Sequence, residues 1–198
     1  MLAVILALTA PALAADPLVD VRTVAPGVVL DVRYATPRNF LGRAVYPEAA
    51  AFLRLSTARK LARAERALSA RGRRLVIYDA YRPLSVQRLL WAAKPDRRFV
   101  ADPARGGSVH NRGGAVDVGL AGADGRPLAM PTGFDEFSPR AAHGAKGVPP
   151  KAAANAAELE AAMLAAGFKP LPEEWWHYED PAARGWPPLD VPFDELVK

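Results

Sequence analysis

The sequence predicts a single α+β domain, with a small, mainly antiparallel central sheet flanked by helices. Three observations predict it. Short stretches rich in β-formers interchange with alanine-rich stretches whose apolar residues recur at helical spacing. Hydrophobic residues make up 51% of the 198 positions and charged residues 24%, enough apolar material for a core. No internal repeat and no linker divides the chain, whose length suits one domain of ~100–200 residues.

The elements follow in order. Residues 1–15, MLAVILALTAPALAA, are apolar over the length of a signal-peptide h-region and close on Ala12-Leu13-Ala14, an A-x-A cleavage pattern. They read as a signal peptide lacking the usual basic n-region, ahead of a domain at 16–198. Export to a bacterial periplasm is the expectation. Val28 to Tyr34 alternates as a strand, and Pro37, Asn39 and Gly42 mark a loop. From about Glu48 to Arg71, Leu53, Leu61, Ala64 and Leu68 form one stripe of a long helix that ends at Gly72. Leu75 to Tyr81 reads as a second strand, stopped by Pro83. A shorter helix through Gln87, Leu90 and Trp91 ends before Pro95. Residues 101–114 form a glycine-rich loop, and Ala115 to Leu120 a third strand. Residues 121–150 are a polar excursion punctuated by Gly and Pro, a length that in a compact domain is usually functional or mobile. Ala152 to Ala166 is a helix closed by Gly167, and the last strand lies near Trp175 to Glu179.

Composition narrows the chemistry. There are no cysteines, which excludes disulfides, thiolate nucleophiles and cysteine-type zinc fingers. The three histidines, His110, His143 and His177, leave a metal site few sources of imidazole. The net charge of +5 comes mostly from scattered arginines, with no basic run interleaved with aromatics, so nucleic acid is not an expected partner. The body of the chain has no apolar run near ~20 residues, so no spanning helix is expected.

Three segments carry chemistry. Ser108-Val109-His110-Asn111-Arg112-Gly113-Gly114-Ala115-Val116-Asp117 leads from the glycine-rich loop into a strand. Ala115, Asp117 and Gly119 share one strand face, setting a carboxylate among small residues with space above it for an ion or ligand. Glu173-Glu174-Trp175-Trp176-His177-Tyr178-Glu179 adds a second imidazole and carboxylates beside it. His110, Asp117 and His177 together make a three-ligand set that leaves the fourth position of a tetrahedral Zn²⁺ open for water. A water-activating zinc site also needs a base. In a regular strand residues 174 and 177 point to opposite faces, so Glu174 serves only if a bulge intervenes, whereas Glu179 shares the face of His177. Spacing alone does not choose between them. In Tyr78-Asp79-Ala80-Tyr81-Arg82-Pro83, Arg82 is fixed by the following proline with Asp79 near to orient it, which suits stabilisation of an anion.

Taken in this order, the segments resemble the bacterial D-alanyl-D-alanine dipeptidase family of zinc peptidases. Ser108 to Asp117 matches that family's S-x-H-x-x-G-x-A-x-D motif, Glu174 to His177 its E-W-W-H motif, and Tyr78 to Pro83 its Tyr-Asp-Ala-Tyr-Arg-Pro stretch. Further likeness lies at Arg33 to Thr36, at Asn39, Phe40 and Gly42, and at Gly133 to Glu136. The resemblance implies one Zn²⁺ per chain held by His110, Asp117 and His177, with Glu174 as catalytic base and Arg82 steadying the oxyanion. It implies that Ser108, Tyr34 and Asp135 contact a D-amino-acid dipeptide. Cleavage of D-Ala-D-Ala or a near relative is therefore the expected activity. The alternative is a zinc D,D- or L,D-carboxypeptidase acting on peptidoglycan stem peptides. A non-catalytic wall-binding module is a third reading, which loss of a ligand or of the base would have favoured. No feature speaks to oligomeric state, and His143 reads as a solvent-exposed loop residue.

Overall fold

The computed structural model describes residues 16–196, so the signal-peptide reading of 1–15 lies outside the described residues. In chain order the strands are β1 (Leu18–Asp20), β2 (Val29–Leu30), β3 (Phe52–Arg54), β4 (Arg73–Asp79), β5 (Ala115–Gly122), β6 (Lys169–Leu171) and β7 (Glu174–Glu179). The helices are α1 (Leu55–Ser69), α2 (Leu84–Ala93), α3 (Pro150–Ala165) and the single turn α4 (Phe193–Leu196). β1 and β3 form a small antiparallel ribbon, and the others form a five-stranded sheet in the order β2-β4-β5-β7-β6. Only the β2–β4 pair in that sheet is parallel. The class is α+β, as expected, and the sheet is mainly antiparallel but mixed.

The centre of the sheet is dry on both faces. Leu75, Val76 and Ile77 of β4 and Val116, Val118 and Leu120 of β5 are wholly buried. Leu61 and Leu68 of α1 and Leu159 and Met163 of α3 pack into the same core. Each large aliphatic side chain buried in this way stabilises the fold by ~1.5–3 kcal/mol.

Several boundaries differ from the expectation, each for a tertiary reason. The long helix does not begin near Glu48. Phe52–Arg54 instead pairs with β1, and the Phe52 carbonyl accepts from Tyr81 N at 2.8 Å, so Leu53 belongs to a strand. The expected strand from Val28 to Tyr34 is extended only at Val29–Leu30, after which Arg33–Ala35 turns as a 3-10 helix. That turn is pinned by the Tyr34 carbonyl, which accepts from Val45 N and Tyr46 N at 2.8 and 3.0 Å. β4 ends at Asp79 rather than Tyr81, after a register shift between Ile77 and Asp79. β6 was not expected. It is three residues long and contains Pro170, which sheet edges tolerate.

Candidate active site

The site is built where β5 and β7 emerge from the sheet. A 3-10 turn, Val109–Arg112, precedes β5 and is capped reciprocally. Ser108 Oγ accepts from His110 N at 3.2 Å, and Asn111 Oδ1 accepts from Ser108 N at 2.7 Å. Gly113 then adopts a φ of +67°, a left-handed conformation that turns the chain into the strand. Asp117 lies opposite His177 in the β5–β7 register, so pairing of two strands brings carboxylate and imidazole together. His110 reaches them from the turn.

The resulting cluster is tight. His177 Nδ1 lies 3.0 Å from Asp117 Oδ1 and 3.1 Å from His110 Nε2, and all three residues are buried. One ligand atom from each falls within 4.8 Å of the others. The outer ring nitrogens are tied as well. His110 Nδ1 is 2.6 Å from the Ala80 carbonyl, an acceptor only, so Nδ1 carries a proton and Nε2 is the ring nitrogen turned towards the cluster. His177 Nε2 lies 3.4 Å from Glu179 Oε1, whose partner oxygen accepts from Arg184 at 2.8 and 3.0 Å. Burial alone would raise the Asp117 carboxyl, but His110 and His177 outweigh it and hold it well below the usual range. Burial likewise opposes the charged form of His177, yet its bonds to Asp117 and Glu179 raise its pKa to about 10. The cluster is thus a place where positive charge is stabilised.

Glu174 and His177 meet this cavity together because β7 is irregular. Pro170 faces Tyr178 but Leu171 faces Glu174, so Trp175, Trp176 and His177 are surplus to one step of β6. This is the bulge that the period of a strand demanded, and Glu174, His177 and Glu179 all line one cavity of about 400 Å³. The two carboxylates differ in environment. Burial raises the Glu174 pKa, with the nearby negative charge of Asp117 adding to it. Glu179 resists burial through His177 and Arg184 and is held down at about 2. An unpaired, raised carboxylate is suited to exchange protons, and a clamped one is not.

Arg82 is buried on the other side of the cluster, and its fork is fully ordered. Its Nε and Nη2 donate to Asp79 Oδ2 at 3.0 and 2.6 Å, and Nη1 donates to Gln87 Oε1 at 2.8 Å. Asp79 is itself fixed by Tyr46 Oη at 2.7 Å. The guanidinium stacks over the Tyr34 ring at 5.2 Å. Tyr34 Oη in turn donates to Asp135 Oδ2 at 2.8 Å, which ties the 121–150 excursion to the site. Asp135 has a φ of +57°, left-handed for a residue with a side chain, and burial pushes its carboxyl well above the usual range.

All eight residues singled out from the sequence, Tyr34, Arg82, Ser108, His110, Asp117, Asp135, Glu174 and His177, therefore line the same cavity. Three readings change in detail. The space expected above Asp117 is present, but beside it the room that Gly119 leaves is taken by Tyr78, whose hydroxyl occupies the position a Cβ would take. Ser108, besides facing the cavity, serves as the cap of the turn that carries His110. His143 is not a solvent-exposed loop residue: only 13% of its side chain is accessible, and Nδ1 lies 3.3 Å from Glu160 of α3. The roles of Gln87 and Tyr46 escaped the sequence reading: Gln87, placed only on a helix, accepts from Arg82 five residues earlier, and Tyr46 reaches Asp79 from 33 residues away.

A trio that could hold a metal, a raised carboxylate beside it and a fixed guanidinium suit a metal-dependent hydrolase of the metallopeptidase class. Comparison with known proteins narrows this. The chain matches the family described as D-ala-D-ala dipeptidase over residues 14–197 and belongs to it. It is 39% identical over 180 residues to the D-alanyl-D-alanine dipeptidase of Escherichia coli, covering 91% of this chain and 93% of that protein. Proteins of the same name from Streptomyces coelicolor and Enterococcus faecium are 33% and 30% identical, each over 77% of this chain and 85% of the relative.

Proposed function

We propose that this dipeptidase hydrolyses D-Ala-D-Ala or a closely related dipeptide with one Zn²⁺ held by His110, Asp117 and His177. The observation that carries the reading is that these ligands, Glu174, Arg82 and Asp135 line one cavity. The donor set fits zinc: two imidazoles and a carboxylate without thiolate are ligands of a catalytic site with one position left open. Zinc bound there supplies Lewis acidity and a water whose pKa is lowered towards neutrality.

The chain supplies the rest. Glu174 takes a proton from the attacking water and returns it to the leaving amine, a task suited to a carboxylate whose pKa burial has raised. Arg82, held by Asp79 and Gln87, keeps its position while negative charge develops on the former carbonyl oxygen, so little reorganisation is required. Asp135 receives the free α-amine of the substrate, and Tyr34 holds that carboxylate in place. Ser108 presents its hydroxyl on the cavity wall near His110.

We further propose export to a bacterial periplasm, supported by the leader pattern of residues 1–15, where wall-derived D-amino-acid peptides would be the substrate source. The experiment that tests the activity compares D-Ala-D-Ala with N-acetyl-D-Ala-D-Ala on the zinc-loaded protein. Burying Asp135 without an ammonium partner penalises the acetylated substrate, so only the free dipeptide should be cleaved efficiently. Equal cleavage of both would transfer the assignment to a carboxypeptidase.

A further inference from the structure

A hollow of about 410 Å³ opens where α2 meets the loop after Tyr34, within the ~300–1,000 Å³ typical of small-molecule sites. It shares only Phe40 and Phe137 with the cavity described above. α2 hides Val86, Gln87 and Leu90 and turns Leu89 and Ala93 outward, one helical turn apart, into this hollow. Leu89 is 44% accessible, and among the described residues only Leu164 is another large apolar side chain so exposed. The half-buried Leu41 completes the apolar lining. The other two lining residues are cations, Arg43 and Lys94, and no acidic residue among those described joins them. Asp96, beside Lys94 in sequence, is taken by Arg98 at 2.6 Å. The Lys94 ammonium is held instead over the Phe99 and Phe137 rings, at 4.7 and 5.2 Å.

We infer that this hollow is a binding site for a free carboxylate carried on an apolar chain. The inference is independent of the dipeptidase reading, because none of His110, Asp117, His177, Glu174 or Asp135 lines the hollow. Charge decides the class of ligand. An apolar chain without a head group would cover Leu89 but strip water from two cations and give them no partner. A cationic head would be repelled. A carboxylate satisfies both cations: the Arg43 guanidinium offers parallel N–H donors to its two oxygens, and Lys94 adds a point charge. The chain attached to it removes Leu89, Phe40 and Leu41 from water. A concave site between a helix and a loop receives one such chain, whereas the flat surface of a bilayer would meet only its rim.

The test is a calorimetric titration of the zinc-loaded protein with hexanoate, octanoate and decanoate, each below its micellar concentration. Binding should be saturable and should tighten by about two- to fourfold for each added methylene. Octanol and octyltrimethylammonium should bind at least about tenfold more weakly than octanoate. Arg43→Glu, Lys94→Glu and Leu89→Glu change the hollow from two separate elements. At least two of them should weaken octanoate about tenfold or more, while the melting temperature without ligand, which reports the fold, stays within about 2 °C. The zinc-free protein should bind octanoate as the zinc-loaded protein does. Octanol binding as tightly as octanoate, binding that disappears with the zinc, indifference to all three substitutions, or no saturable binding would overturn the site. Self-association of the protein, or adsorption to phosphatidylglycerol vesicles, in place of octanoate binding would give this face to a second copy or to a membrane and overturn it equally.

Discussion

The two ends of the cavity are built by different means. At the end that could hold a metal, Asp117 and His177 stand on paired strands, and His110 stands on a capped turn leading directly into one of them. Each imidazole has its outer nitrogen tied, one to a backbone carbonyl and one to a carboxylate. At the other end, where the substrate amine is proposed to bind, Tyr34 comes from a 3-10 turn and Asp135 from a loop, joined by a single side-chain hydrogen bond. Asp135 also carries a left-handed backbone and a half-buried carboxyl near Asp117 and Glu174. The contrast shows where the fold spends its rigidity. The groups of the trio are over-determined by the sheet and the turn leading into it, whereas Asp135, proposed to receive the substrate amine, is held against its own conformational and electrostatic preference. A substrate ammonium bound there would relieve the electrostatic part of that conflict and concentrate binding energy at the point of recognition.

Arg82 belongs to the over-determined end, and disturbing it should have the largest effect among the supporting residues. Arg82→Ala should lower kcat by ~10²–10³, the scale of a lost oxyanion donor, and Arg82→Lys should recover only part because an ammonium cannot keep the planar fork. If only the melting temperature moved, Arg82 would be a structural ion pair to Asp79. Glu179 lies one step further out. Glu179→Gln should weaken zinc binding by ~10–100-fold in a chelator competition while zinc-saturated turnover remains within a few-fold of wild type. Loss of turnover at full metal occupancy would instead make Glu179 the base and remove the distinction between the two carboxylates.

The smallest expected effect lies at the amine end and has the opposite sign. Burial raises the Asp135 pKa above its ordinary value, so the folded protein holds that proton more tightly than the unfolded chain. Its burden on stability is therefore absent below the ordinary carboxyl range and grows as pH rises towards the raised value. Asp135→Asn removes the charge and places in the left-handed region a residue that tolerates it. The substrate-free variant should melt ~2–4 °C higher near neutral pH, the shift that about 1 kcal/mol produces in a domain of this size, with the gain vanishing in acid. Its activity on the free dipeptide should fall. A variant less stable than wild type at neutral pH would mean that Asp135 is not under strain.

The same contrast explains what the sequence disclosed. The core strands around Leu75–Ile77 and Val116–Leu120 were legible because continuous apolar runs have few other uses, and the cluster of His110, Asp117 and His177 because residues able to hold a metal are few and chemically distinctive in this chain. The conflict between residues 174 and 177 was legible as well: a strict strand period forbade both facing the cavity, and the irregularity opposite Pro170–Leu171 is how the chain resolves it. The start of α1 and the brevity of β2 were not legible. Phe52–Arg54 is drawn into a strand by Leu18–Asp20, thirty-odd residues earlier, and Tyr34 is turned inward by contacts with residues 45, 46 and 135. Local propensity contains none of that information. The supports of Arg82 divide in the same way: Asp79, three residues away, was visible, whereas Tyr46 reaches Asp79 from 33 residues away.

The central claim is that Glu174, and not the clamped Glu179, moves the proton beside a metal held by the other three residues. The most direct measurement is made on Glu174→Gln, with zinc content by elemental analysis and kcat on D-Ala-D-Ala from the same preparation. Full zinc occupancy with kcat lowered by ~10²–10⁴ is the result predicted for a lost acid–base group. Near wild-type turnover, or loss of the zinc along with the activity, would contradict it.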